Sequence, residues 1–309
     1  MAMIPEFPRF KKLEITDKPI IENFTKQYPP YSDYNFTSLW SWNTKDEAQV
    51  SILNGSLVIK FTDYITGEPF YSFLGSNETD NTVRRLLRWV KNTGATPILK
   101  LLPEYSIHNI NSRDIITSED SNNFDYILSV PDLMTYKGNK LGAKRNFVNR
   151  FKKKYRSTTH ILNLSDEIVQ EKIKDLFLLW AKHKSFSHED IENEFAALSR
   201  VFTVAQCSQF ITVGILSNEN LIGFSINEIV GNGYAILHFE KADTVSYVGI
   251  YPYVMQETAK AIFSQECEFL NYEQDLGIPG LKKCKESYQP CAYLKKYILT
   301  VQDSAFSSI

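Results

Sequence analysis

The sequence predicts an α+β (mixed α/β) protein of two similar domains, each a mostly antiparallel sheet flanked by helices. Three observations carry that prediction. The chain has 309 residues, 43% of them apolar and 13% aromatic, which is enough material for two hydrophobic cores. Its second half alternates strand-like and helix-like periodicity in a definite order, and its first half repeats that order in degraded form.

In the first half, residues 31–42 are rich in aromatics, and Phe36, Leu39 and Trp40 at spacings of three and four make one helical face. That face reads as core, with Asp33 and Asn35 as turn or capping residues. Strand-like runs follow at 48–53, 57–61 and 70–74, the first two joined by Asn54-Gly55, a hairpin signal. A helix over 80–92 is closed by Gly94, and strands follow at 98–102 and 126–130. The segment 136–156 then reads as a basic helix connecting a domain of residues 1–135 to one of residues 157–309.

In the second half, residues 158–164 alternate like a short strand. Ser165 is placed to N-cap a helix with Asp166 and Glu167 in its first turn, and a second helix covers 188–206. Three strands, 210–216, 221–230 and 234–240, form a meander through the turns Ser217-Asn218-Glu219-Asn220 and Asn232-Gly233. Beyond a loop containing Gly249, Pro252 suits the first turn of a helix running to residue 266. A short strand at 268–272, a helix from Pro279 and a last strand at 292–301 complete the pattern.

Composition excludes a disordered chain, a collagen-like repeat and a disulfide-stapled miniprotein. Residues 1–10 carry no signal-peptide pattern, and the longest apolar run, 176–181, is far short of a membrane span, so a soluble, cytoplasmic protein is expected. Four cysteines at irregular spacings point to reduced thiols, and five scattered histidines with no close cysteine pair predict no metal. Total charge is near balance, with 34 Lys+Arg against 36 Asp+Glu, but its distribution is uneven. Between residues 133 and 156 there are nine bases and no acid. Such a concentration suits an anionic partner or, more simply, a solvated helix face. Phe147, Phe151 and Tyr155 form an apolar stripe expected to pack down, leaving Lys144, Arg150 and Lys154 for solvent or phosphates.

The element order of the second half resembles the GNAT (acyl-CoA N-acyltransferase) fold, which implies two tandem GNAT-like domains. Four stretches sharpen the resemblance: Tyr31-Ser32-Asp33-Tyr34-Asn35-Phe36 with Leu39, Trp40 and Trp42; Asp125-Tyr126 with Gly138 and Lys144-Arg145-Asn146; His238-Phe239-Glu240-Lys241-Ala242; and Asn271-Tyr272-Glu273-Gln274-Asp275-Leu276-Gly277-Ile278 with Leu281, Lys282, Lys285, Ser287 and Tyr288. Together they resemble the phosphatidylglycerol lysyltransferase C-terminal domain family, in its free-standing bacterial branch, related to the Fem-type aminoacyltransferases. The resemblance implies transfer of an aminoacyl group from charged tRNA to a hydroxyl or amine, with no bound cofactor; a small molecule or a lipid head group would be the acceptor. The sequence departs from the lipid-modifying synthases by having no multi-span membrane segment. It also has Phe239-Glu240-Lys241-Ala242 where those enzymes have an Asp-Leu-Met-Arg-type stretch.

Transfer from an ester needs a positioned acceptor, a base for its proton, and charge or N–H donors for the developing oxyanion. The candidate catalytic acids are Glu240, Asp243, Glu273 and Asp275, which cluster at one end if the strands at 234–240 and 268–272 diverge as GNAT strands do. The alternative is a salt-bridge network at a domain edge. Lys241, Tyr247, Gly249, Asn271, Gly277, Lys282, Lys285, Ser287 and Tyr288 are candidate substrate-binding residues. Lys144, Arg145, Asn146, Arg150 and Lys154 are candidates for tRNA or phosphate, and a groove between the halves is expected to be lined by the basic helix and residues 271–288. Acyl-CoA is the less favoured donor. Its pyrophosphate loop needs successive free N–H groups at a helix start, whereas residues 246–252 offer one glycine and Pro252 removes a donor. A non-catalytic binding module on the same fold is the remaining alternative. His238 reads as a hydrogen-bonded strand histidine.

Overall fold

The computed structural model describes residues 3–63, 67–183 and 187–302. The first part of the chain runs β1 (Lys11–Lys12), α1 (Lys18–Thr25), α2 (Phe36–Ser41), β2 (Gln49–Leu53), β3 (Ser56–Thr62), β4 (Pro69–Leu74), α3 (Thr79–Asn92), β5 (Ile98–Pro103), α4 (Glu104–Ile107) and β6 (Ile115–Glu119). It continues with β7 (Asp125–Ser129), α5 (Val130–Thr135), α6 (Gly142–Lys154), β8 (Thr158–Leu162), α7 (Glu167–Lys182), α8 (His188–Thr203) and β9 (Phe210–Ser217). Then come β10 (Asn220–Gly231), β11 (Tyr234–Ala242), α9 (Ile250–Phe263), β12 (Phe269–Asn271), α10 (Pro279–Glu286), β13 (Ala292–Leu294) and β14 (Lys296–Val301).

Turn chemistry explains the hairpins. Asn54 and Gly55 adopt φ of 51° and 73°, and Asn232 and Gly233 adopt 52° and 76°. Paired positive φ values give the turn whose twist matches the flanking strands. Asn35 caps α2 by accepting from the Ser38 N–H at 3.0 Å, while Asp33 forms a buried ion pair with Lys296. Phe36 and Leu39 are buried as expected, and Trp40 stacks on Phe36. The cap of α7 is Asp166, one residue later than expected, because its side chain, and not that of Ser165, accepts from the Ile168 N–H.

The two sheets share one plan. The first has the order β1-β2-β3-β4-β5-β14-β6 and the second β13-β7-β12-β11-β10-β9-β8. In each, an antiparallel run ends on a strand with a parallel neighbour, β4 with β5 and β11 with β12. In each, another strand is then inserted before the edge, β14 in the first sheet and β7 in the second. These inserted strands come from the opposite ends of the chain segments they complete. The structure therefore divides into a unit formed by the chain up to Phe124 and from Leu294 onward, and a unit of Asp125–Tyr293. That replaces the division expected at residues 135 and 157 and places α5 and α6 inside the second unit. The expected last strand over 292–301 is two strands in different sheets. Order along the chain is the same whether such a strand stays or crosses, so only its hydrogen-bond partners decide.

Both faces of the second sheet are covered. Ile173, Phe177, Trp180, Leu198 and Val201 of α7 and α8 pack with Phe224, Ile226 and Phe239 on one face. On the other, Val254, Ala259 and Ile262 of α9 pack with Ala235, Leu237, Val148 and Phe151. Helix α6 thus buries Val148 and Phe151, with Tyr155 half-buried, whereas Phe147 is 42% exposed. Phe151 and Tyr155 pack down as expected, but Val148 takes the place of Phe147 in the buried stripe, and Lys144, one turn before Val148, is partly buried.

Candidate active site

The site begins with an irregularity in β11. Along the β10–β11 ladder Asn227 faces Leu237 and Ile226 faces Phe239, so His238 is an extra residue, a β-bulge. Alternation is thereby reset. Before the bulge Ala235 and Leu237 face α9; beyond it Phe239 joins the α7–α8 core. Glu240 lies opposite Ser225, whose hydroxyl is 2.6 Å from that of Thr258 on α9, so Glu240 is on the α9 side. Lys241 points the other way, to Glu194 at 2.6 Å and the Trp180 ring at 4.1 Å. Pairing of β11 with β12 ends at Ile236–Asn271, so β11 continues past its parallel neighbour towards Glu240.

Around Glu240 the second unit assembles tyrosines and amines. The Tyr272 hydroxyl donates to Glu240 Oε2 at 3.0 Å, while Oε1 is buried with no hydrogen-bond partner. Lys285, on α10, donates to the Tyr272 carbonyl and places Nζ 4.1 Å from that ring's centroid. Lys144, from α6, sits 3.6 Å over the Tyr288 ring, and Tyr272 and Tyr288 meet edge to face at 5.8 Å. Burial pushes the Glu240 carboxyl up to about 7, against the lowering effect of the Tyr272 hydrogen bond and of Lys144, Lys241 and Lys285. Burial pulls Lys285 down to about 8 and also lowers Lys144. The Cys284 thiol lies in the same field and is raised by burial and by Glu240.

Of the other three candidate acids, Asp243 and Asp275 are engaged in turns, and Glu273 stands between His238 and the field of Lys285. Asp243 accepts from the N–H groups of Val245 and Ser246 at 3.1 and 3.0 Å, a turn role. Asp275 accepts from the Tyr126 hydroxyl at 2.5 Å and the Gly277 N–H at 2.7 Å, and Gly277 has the positive φ of 71° that this turn needs. Glu273 lies 3.4 Å from His238 Nδ1, and Glu228 lies 3.2 Å from Nε2. Burial alone would lower the imidazole, but hydrogen bonds to Glu228 and Glu273 raise it to about 9. Thus His238 is the buried centre of an acid–imidazole–acid triad between the buried Glu228 and the partly buried Glu273. Among the described residues no group of three or more His, Cys, Asp or Glu side chains is arranged to hold a metal ion.

The binding candidates divide similarly. Asn271 donates to Asp125 at 3.1 Å and accepts from the Glu273 N–H at 2.8 Å, fixing the end of β12. Tyr288 is buried beneath Lys144, Ser287 donates to the Cys284 carbonyl, and Lys282 is exposed. Tyr247 packs on Tyr155 at 5.0 Å. Arg145 does not project to solvent as a free phosphate ligand: it donates to the carbonyls of Tyr136 and Gly138 at 2.7 and 3.1 Å. Asn146, Arg150 and Lys154 are exposed. The two walls expected to line a groove between the halves, α6 and residues 271–288, both belong to the second unit. Tyr272 and Cys284 were not among the candidates; Tyr272 stands inside a recognised motif, but nothing in sequence spacing aims it at Glu240.

Gly249, the residue preceding α9, has φ of 87°, and a Cβ there would lie 2.8 Å from the Phe147 carbonyl oxygen. It is where α9 approaches α6. Gly249→Ala is expected to lower stability by about 1–3 kcal/mol, read from chemical denaturation. An unchanged midpoint would show that α6 yields freely.

Comparison with known proteins accords with this architecture. The chain is 24% identical over 186 residues to an uncharacterised protein of Mycoplasmoides gallisepticum, covering 60% of this chain and 58% of that relative's length. A conserved protein of unknown function from Bacteroides thetaiotaomicron superposes with a TM-score of 0.83 at 28% identity, over 97% of this chain and all of that one. The C-terminal domain of a putative lysylphosphatidylglycerol synthetase from Agrobacterium fabrum shares the fold, with a TM-score of 0.64 at 10% identity over 95% of this chain and 93% of that one. Among the described residues no helix is long and apolar enough to cross a membrane. Residues 25–300 match the model of the family described as phosphatidylglycerol lysyltransferase, C-terminal, and the chain belongs to that family.

Proposed function

We propose that the cluster around Glu240 carries out aminoacyl transfer from charged tRNA to a hydroxyl or amine acceptor. The observation that supports this reading most is a carboxyl held near 7, with one buried oxygen unpartnered, beside two desolvated amines. Glu240 takes the proton of the acceptor X–H as X attacks the ester carbonyl. Lys285 and Lys144 stabilise the oxyanion, and collapse releases the ribose hydroxyl, which receives the proton from Glu240. The products are X–CO–R and deacylated tRNA. A basic, partly exposed α6 suits the tRNA backbone through Arg150 and Lys154.

Acyl-CoA fits this chain less well. In the loop before α9, the N–H groups of Val245 and Ser246 bond the Asp243 carboxylate, Tyr247 bonds the Asp243 carbonyl and Val248 bonds the Tyr155 hydroxyl. These donors are already used and do not converge on a phosphate.

The pH dependence tests the proton assignment. The reaction requires ionised Glu240 and protonated Lys285, so single-turnover consumption of aminoacyl-tRNA should rise with pH through about 7 and fall above about 8. A rate that is flat from pH 6 to 9 would remove Glu240 as base.

A further inference from the structure

We propose that His238 is a positioning residue for Glu240: its ring, held between Glu228 and Glu273, ties β11 to the turn that follows β12 and thereby keeps the Tyr272 hydroxyl on the Glu240 carboxyl. The inference rests on reading Glu240 as the base of the transfer. Backbone pairing of the two strands ends at Ile236 and Asn271. Two residues beyond that last pair, on either strand, stand His238 and Glu273, whose side chains meet at 3.4 Å. Side chains continue a connection that the ladder has given up.

The turn after β12 needs such a tie. Glu273 has a φ of 57°, a left-handed conformation that a glutamate seldom adopts unaided. Its N–H donates to the Asn271 side chain at 2.8 Å, and its carbonyl accepts from the Tyr126 N–H at 3.2 Å. Those bonds hold its backbone, and His238 holds its side chain. Tyr272 immediately precedes this residue, so the path of the chain at Glu273 aims the hydroxyl that donates to Glu240. On the other arm, Glu240 is two residues past His238, and the bulge that His238 fills turns Glu240 towards α9. Glu228 of β10 takes the second ring nitrogen at 3.2 Å, so the bulge is anchored from both neighbouring strands.

The titration of Glu240 reads the tie without any turnover. In the full chain labelled with carbon-13 at the glutamate carboxyls, the Glu240 resonance is the one missing from Glu240→Gln, and its wild-type midpoint is expected at about 7. Tyr272→Phe removes the hydroxyl that favours the charged carboxylate and should raise that midpoint by about one pH unit. His238→Gln should raise it in the same direction, as should Glu273→Asn, which suits the positive φ but is one methylene shorter. Both should slow single-turnover consumption of aminoacyl-tRNA at pH 6 about tenfold, with tRNA affinity unchanged. In a Tyr272→Phe background neither should move the midpoint further, because both act through that hydroxyl. Glu273→Asn leaves the Glu228–His238 pair in place and carries the test if His238→Gln does not fold. An unmoved midpoint in variants that keep the wild-type fold, or a shift of the same size in the Tyr272→Phe background, would overturn the positioning role. If the midpoints move as expected but charged tRNA is never consumed, the positioning stands and the transfer reading falls.

Discussion

Glu240→Gln is expected to lower the single-turnover consumption of aminoacyl-tRNA by about 10²–10⁴-fold, the range that loss of a positioned general base produces. The substitution keeps the volume and leaves the Tyr272 hydroxyl an oxygen to donate to, so the fold and tRNA affinity should hold. Because Gln cannot take a proton, the rise in rate through pH 7 should vanish with the rate itself. Asp275→Asn and Asp243→Asn provide the contrast. Those carboxylates accept from Tyr126 and Gly277, and from Val245 and Ser246, so their loss should appear in thermal stability before it appears in proton transfer. Equal rate losses in all three variants would mean that Glu240 acts through structure.

His238→Ala should destabilise the protein by about 3–5 kcal/mol, since it removes the cation between the buried Glu228 and the partly buried Glu273. The triad also has a pH signature. The folded-state imidazole, at about 9, is held above its ordinary value of 6.5. Its contribution to stability is therefore complete below about 6.5 and is lost as pH rises through about 9. Denaturation midpoints of the wild type should fall across that window, and the variant's should lack that part of the fall. A His238→Ala protein with wild-type stability at pH 6 would show that the imidazolium does not hold these elements together.

Much of this architecture was legible in the sequence because local signals and global fold agree. Asn-Gly pairs set the hairpins, period-two runs set the strands, and the four motifs identified the family. Which strand joins which sheet was not legible, since β7 and β14 read as ordinary strands of their own halves and only their partners place them. The site was half legible. Glu240 stood among four candidate acids, and what separates it from the others is the bulge at His238, which no periodicity in β11 announces. The same bulge hides the triad, because Glu228 and Glu273 are distant in sequence. Lys144 was assigned to solvent on a stripe through Phe147. Docking of α6 against α9, where Gly249 meets the Phe147 carbonyl, buries Val148 in place of Phe147 and brings Lys144 over the Tyr288 ring.

One experiment bears most directly on the account: the protein is mixed with tRNA charged with labelled amino acids, with differently labelled acetyl-CoA and with a small-molecule cell extract as the acceptor source. The account predicts that the aminoacyl label moves from tRNA to a small product in a reaction abolished by Glu240→Gln, while the acetyl label stays on CoA. Transfer of the acetyl label instead, or aminoacyl transfer undiminished in the Glu240→Gln protein, would contradict it.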